Sequence, residues 1–248
     1  MSFDSIIGQR KAKKILTRAL QQKRVPHAYL FYGGPGVGKE ALALELAKAL
    51  LCQTNGTEPC DQCSHCSRVA KLTHPDLVYL FPAPQTIKPE EHQLVLQSLI
   101  KDPYYRLRLW ANPSISIERI RELRRTSAYK SFEGRGRVII IAEADTMTIE
   151  ASNALLKILE EPPEKMNLIL TTSNVTQILP TITSRCQMIR FEPLSYQDIE
   201  TALIKRKKLE PEPARLIARL ASGNFRRALE LLQEDLPAKR QMVINVLR

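Results

Sequence analysis

The residues best suited to chemistry fall in two groups. The first is Gly33-Gly34-Pro35-Gly36-Val37-Gly38-Lys39-Glu40. Gly33, then four residues, then Gly38 and Lys39 is the spacing of a phosphate-binding loop. The apolar run Ala28-Tyr29-Leu30-Phe31 before it reads as a buried strand, and Ala41 to Ala47 after it reads as a helix. Glycines let backbone N–H groups turn inward around a phosphate, and the helix N-terminus adds a positive dipole. Lys39 adds a point charge for the outer phosphates. The pattern ordinarily ends in Ser or Thr, whose hydroxyl holds a magnesium ion; here the position is Glu40. A carboxylate suits the first turn of a helix, and it also places negative charge beside a polyphosphate. The second group is Cys52, Cys60, Cys63 and Cys66. Four soft ligands in a short polar stretch suit a tetrahedral structural zinc ion, with no open coordination position. The alternative is four reduced thiols. His65 lies inside the run and could replace one ligand.

Around these groups the chain alternates strands and helices, which predicts an α/β fold with a parallel sheet. A basic helix with Ile15, Leu16 and Leu20 at helical spacing precedes Pro26 and His27. Leu77 to Phe81 reads as a strand, and residues 82–113 as an irregular, proline-rich insertion whose middle, His92 to Lys101, forms a short helix. That insertion carries no assignable chemistry at this level. Ser114 to Tyr129 reads as a helix with Ile117, Ile120 and Leu123 on one face and Arg119, Arg121, Arg124 and Arg125 on the other. Those arginines are either a solvated face or a DNA-facing stripe.

Arg137 to Ile141 reads as a buried parallel strand. Phosphate-loop proteins place an Asp at the end of this strand to hold magnesium; here the position is Ala142, and Glu143 follows. Glu143 could still polarise a water. Glu40 and Ala142 are thus two separate departures at one ion. Glu150 to Glu161 is a periodic helix ended by Pro162-Pro163, and Asn167 to Thr172 and Met188 to Phe191 are further strands. Beyond Pro193 three helical patterns follow, Ser195 to Lys208, Glu212 to Ser222 and Phe225 to Gln233, with another helix beginning after Pro237.

Several of these segments together resemble the AAA+ clamp-loader subunits of bacterial DNA polymerase III: Ile7-Gly8-Gln9, His27 to Phe31, the phosphate loop, the four cysteines, Asn153 to Pro163 with its Glu-Glu-Pro-Pro ending, Ser184-Arg185-Cys186, and Gly223-Asn224-Phe225-Arg226-Arg227-Ala228. The resemblance implies a RecA-like AAA+ domain over residues 1–192, containing a zinc module at 52–66 and the insertion at 82–113. It implies a helical lid at 193–236 and, at 237–248, the start of a collar domain that the sequence does not continue. By position it makes Gly33 to Lys39 the Walker A loop, Ala142-Glu143 the Walker B end, Thr172 the first sensor and Arg226 the second. Arg185 becomes an arginine finger offered in trans to a neighbour's nucleotide, or else a plain intersubunit salt bridge.

In such loaders gamma or tau subunits hydrolyse ATP while another, rigid member serves as stator. Glu40 and Ala142 match the stator, so no ATP hydrolysis of its own is expected, and ATP or ADP binding is weak or absent. The alternative is a gamma-type hydrolysing subunit. The implied partners are gamma or tau and delta subunits in a hetero-pentameric ring within a DNA-directed DNA polymerase holoenzyme, and through them the sliding clamp and primed DNA.

Composition agrees with this class. A formal charge of +11, from 37 Lys and Arg against 26 Asp and Glu, favours a polyanionic partner or simply solubility. Hydrophobic content of 44% with 25% charged residues fits a globular chain. No apolar run approaches membrane-spanning length and no signal-peptide plan opens the chain, so a cytoplasmic location is expected.

Overall fold

The computed structural model describes residues 3–54, 56, 58–127 and 131–233. The helix expected after Pro237 lies outside the described residues, as does Tyr129 at the expected end of the arginine-bearing helix.

Five strands, β1 Ala28–Tyr32, β2 Leu77–Leu80, β3 Arg137–Ile141, β4 Met166–Thr172 and β5 Gln187–Arg190, form one sheet. Its order is β2-β3-β4-β1-β5, and every pairing is parallel. Parallel sheets need cover on both faces, which is why β3 reads as an unbroken apolar run. Side chains alternate across it. Val138 and Ile140 join the core shared with α1 Arg10–Gln21 and α2 Lys39–Leu51, while Ile139 and Ile141 join the core shared with α5 Ile117–Ser127 and α6 Ile149–Glu160. Between β2 and β3 also lies α4 Pro89–Lys101, with proline in its first turn. It begins ahead of the expected His92, because Pro89 is pre-set for a helix start and Glu90 and Glu91 follow it.

Among the described residues the last three helices are α8 Tyr196–Lys207, α9 Pro211–Leu220 and α10 Phe225–Gln233. Ser195 caps α8 by accepting the Asp198 N–H at 3.0 Å and donates to the Asp198 carboxylate at 2.7 Å. Ile199, Leu203, Ile217 and Phe225 bury into the same core as α1 and α2. Among the described residues no helix is long and apolar enough to cross a membrane.

One sequence expectation needs correcting here. Arg119 does not belong to an exposed arginine stripe. It turns back to donate to the Phe81 carbonyl at 2.5 Å, with its guanidinium 5.6 Å from the Phe81 ring centroid. Arg121, Arg124 and Arg125 remain exposed. An arginine stem packs on apolar surface when an aromatic face and a carbonyl satisfy its head.

Candidate functional site

The phosphate loop leaves the carboxyl end of β1 and enters α2, the place where open α/β sheets bind ligands. Gly33, Gly36 and Gly38 hold φ values of 148°, 67° and 99°, which favour glycine. Gly36 has a second constraint: a Cβ built there would lie 1.7 Å from Asn224 Oδ1. The start of α10 sits on the loop, and the Phe225 N–H donates to the Gly36 carbonyl at 3.0 Å. Val37 is buried, and its carbonyl accepts from Gln9 at 3.1 Å. Gln9 also bonds the backbone of Glu192, so the Ile7-Gly8-Gln9 segment fastens the loop to the chain beyond β5.

Lys39 Nζ donates inward, to the carbonyls of Gly33 at 2.8 Å and Gly34 at 2.6 Å and to Ser173 Oγ at 3.2 Å. Burial lowers its ammonium to about 8. Glu40 accepts a short hydrogen bond from the Tyr79 hydroxyl. Across the cleft, Ala142 is fully buried as an extension of β3, its N–H donating to Leu80. Glu143 adopts a left-handed backbone, φ 50°, and its N–H donates to Thr171 Oγ1 at 3.2 Å. Thr172 lines the cleft at the end of β4, its hydroxyl oxygen accepting the Asn174 N–H at 3.0 Å, while Thr171 and Ser173 bond Glu143 and Lys39. Arg226 lines the same cleft.

Sequence reasoning missed the residues that close the cleft. They come from the segment after α4, which the spacing left without a role. Arg106 and Arg108 each bond Glu143 Oε1 at 2.7 Å. Arg106 is buried and also faces Glu40 and Tyr79, whose influence outweighs the desolvation that opposes its charge. Burial pushes Glu143 up, and the two arginines more than reverse this, holding it below the usual carboxylate range. Tyr104 stands against Gly38, where a built Cβ would meet its ring at 2.9 Å. Both carboxylates that face the place of a divalent ion are engaged, Glu143 by the two arginines and Glu40 by the Tyr79 hydroxyl. The available signal was the alternation Tyr104-Tyr105-Arg106-Leu107-Arg108, which puts two cations on one side of an extended segment.

The four cysteines do converge. Their sulfurs lie within 4.8 Å of one another, with Cys52–Cys63 at 4.0 Å and Cys60–Cys66 at 3.9 Å. Zinc–thiolate bonds of about 2.3 Å in a tetrahedron put sulfurs about 3.8 Å apart, so the donor set fits a metal ion. Backbone N–H groups support the sulfurs: Cys60 donates to Cys52 at 3.5 Å and Cys66 to Cys63 at 3.4 Å, the latter capping α3 Ser64–Ala70. Arg135 bonds the Cys52 and Gln53 carbonyls, and Lys48 bonds Asp61, so the module is tied to the sheet domain.

His65 does not take the place of one of the cysteines. Its Nδ1 lies 3.0 Å from His74 Nε2 and 3.0 Å from Glu133. These three side chains converge as metal ligands can, but His74 Nδ1 accepts the Asp76 N–H at 3.1 Å. Neutral His74 therefore carries its proton on Nε2, whereas a metal-binding imidazole donates from its far nitrogen. The trio is a hydrogen-bond network.

Arg185 lies apart from the cleft, just past α7 Pro180–Thr183. Its side chain is 37% exposed; it bonds Glu160 at 2.9 Å and the Thr181 carbonyl at 3.0 Å.

A family model described as DNA polymerase III, delta subunit, matches residues 8–195. The chain belongs to this family. Relatives of the polymerase III delta family and its neighbours include the DNA polymerase III subunit delta' of Bacillus subtilis, 34% identical across 92% of this chain and 60% of the relative. The subunit tau of Escherichia coli is 30% identical across 94% of this chain and 33% of the relative. This polymerase III family chain thus spans at most 60% of the length of either relative. The RuvB Holliday junction branch migration motor of Thermotoga maritima superposes with a TM-score of 0.57 at 17% identity, covering 94% of this chain and 63% of that one. It shares the RecA-like AAA+ fold.

Proposed function

We propose that this chain serves as the stator, delta'-type subunit of a bacterial clamp loader, helping to place the sliding clamp on primed DNA in the cytoplasm. In this reading it sits with gamma or tau and delta subunits in a hetero-pentameric ring, holds a structural zinc ion in Cys52, Cys60, Cys63 and Cys66, and offers Arg185 to the nucleotide of an adjacent subunit. Residues 1–192 form the AAA+ domain and 193–236 the lid. The observation that carries the reading is the contrast between two places. The chain's own ion-facing carboxylates, Glu40 and Glu143, are engaged by Tyr79, Arg106 and Arg108, while Arg185 stands partly exposed and outside the cleft.

A second reading, an ATP-hydrolysing gamma-type subunit, is favoured by the 30% identity to tau. Magnesium-dependent ATP turnover of the purified chain separates the two. The stator reading expects turnover at background. Turnover that Lys39→Ala abolishes would establish the gamma-type reading instead.

A further inference from the structure

Residues 102–108 join parts of the molecule that a bound nucleotide would otherwise bridge. Tyr104 is buried; its hydroxyl accepts the Ile7 N–H at 2.7 Å, and its ring meets Phe225 of α10 edge-on with centroids 5.2 Å apart. Arg206 of α8 lies 5.3 Å from the centroid of the same ring. Asp102 pairs with Lys207 of α8 at 2.8 Å. Arg106 and Arg108 reach in the opposite direction, to Glu143. One strap therefore touches the phosphate loop, the N-terminal segment, the end of β3 and two of the three lid helices, α8 and α10.

Its charges match what the cleft lacks. Glu40 and Glu143 are two carboxylates at the place where a phosphate loop recruits a divalent cation; buried Arg106 pairs with Glu143 at 2.7 Å, and Glu40 accepts from the Tyr79 hydroxyl. We propose that the 102–108 strap is a tethered surrogate for a nucleotide and its ion. Arg106 and Arg108 neutralise Glu143, Tyr104 fills the space against Gly38, and the strap fixes lid helices α8 and α10 to the sheet at one angle, independent of nucleotide. A tethered group competes at high effective concentration. Removing one partner of a buried charge pair is severe, so displacement by nucleotide lowers its affinity by about 100-fold or more. This inference rests on the reading of the chain as one that does not turn ATP over, and it supplies the physical cause.

The test is a titration of a fluorescent ATP analogue into the full chain and into an Arg106→Gln/Arg108→Gln variant, with magnesium and with EDTA. The wild type should show no saturation into the millimolar range. The variant should bind at least about 100-fold more tightly, and only with magnesium, because Glu40 and Glu143 are then left needing a cation. Arg108→Ala alone guards against a folding failure: its side chain is 59% exposed, and freeing one of two cations from Glu143 should give about a tenfold gain. Hydrogen exchange of the wild type adds a readout that needs no variant; millimolar Mg·ATP should leave α8 and α10 unchanged. Micromolar binding by the wild type, a nucleotide-dependent change in the lid, or folded variants without gain would overturn the surrogate. ATP turnover by the wild type would instead sink the stator reading.

Discussion

Arg185→Ala, built into the assembled loader, should lower the complex's ATPase by about 10³-fold while leaving this chain's own melting temperature unchanged. Arg185 is only weakly held. Its guanidinium bonds Glu160 at 2.9 Å, but both side chains are well exposed, at 37% and 50%. An exposed pair of this kind contributes less than about 1 kcal/mol. The arginine can therefore leave Glu160 for a stronger anion, and no folding penalty confuses the result. A triphosphate on a neighbouring subunit is such an anion: the guanidinium is planar, permanently charged and able to bond two oxygens at once. Arg185→Lys should recover little, since an ammonium keeps the charge but loses the fork. An unchanged ATPase in the Arg185→Ala complex would reduce the residue to an ordinary surface ion pair.

The second large effect concerns the cysteine module. Purified without added metal, the chain should contain about one zinc ion, and Cys60→Ser or chelation should open the module. Zinc binding to sites of this kind is folding free energy, on the order of 10 kcal/mol in isolated modules. Here the loop is embedded, so the loss should appear first as local opening. Amide exchange should rise across residues 52–70, where the Arg135 bonds to Cys52 and Gln53 and the Cys66 cap on α3 depend on the loop's shape. The melting temperature should then fall by about 2–4 °C for each kcal/mol lost. Elemental analysis with exchange mass spectrometry checks both parts. A metal-free chain with a protected 52–70 segment would show that the thiols hold the loop by packing and hydrogen bonds alone.

The two predictions draw on residues that differ in how openly the sequence displays them. The cysteines and the phosphate loop announce themselves because their chemistry is local: spacing along the chain is spacing in the site. β3 and α6 were equally plain, since burial on both sheet faces and on one helix face imposes an unbroken and a periodic apolar pattern. The strap was invisible for the opposite reason. Tyr104 meets Ile7 97 positions away, and Arg108 meets Glu143 35 positions away. Nothing in an irregular, proline-bearing stretch records such partners. Arg119 was misplaced by the same limit, because helical spacing says which face a residue occupies but not that Phe81 lies close enough to turn it back. Thr172 shows a finer version: its position at the end of β4 was legible, but not that Thr171 and Ser173 on either side of it would make the side-chain bonds to Glu143 and Lys39.

The most direct measurement is the steady-state ATPase of a loader assembled with the Lys39→Ala chain. If this subunit contributes chemistry only through Arg185, the rate should stay within about two-fold of wild type. A collapse to the level of the Arg185→Ala complex would mean that the phosphate loop described here does burn ATP, and the stator account would be wrong.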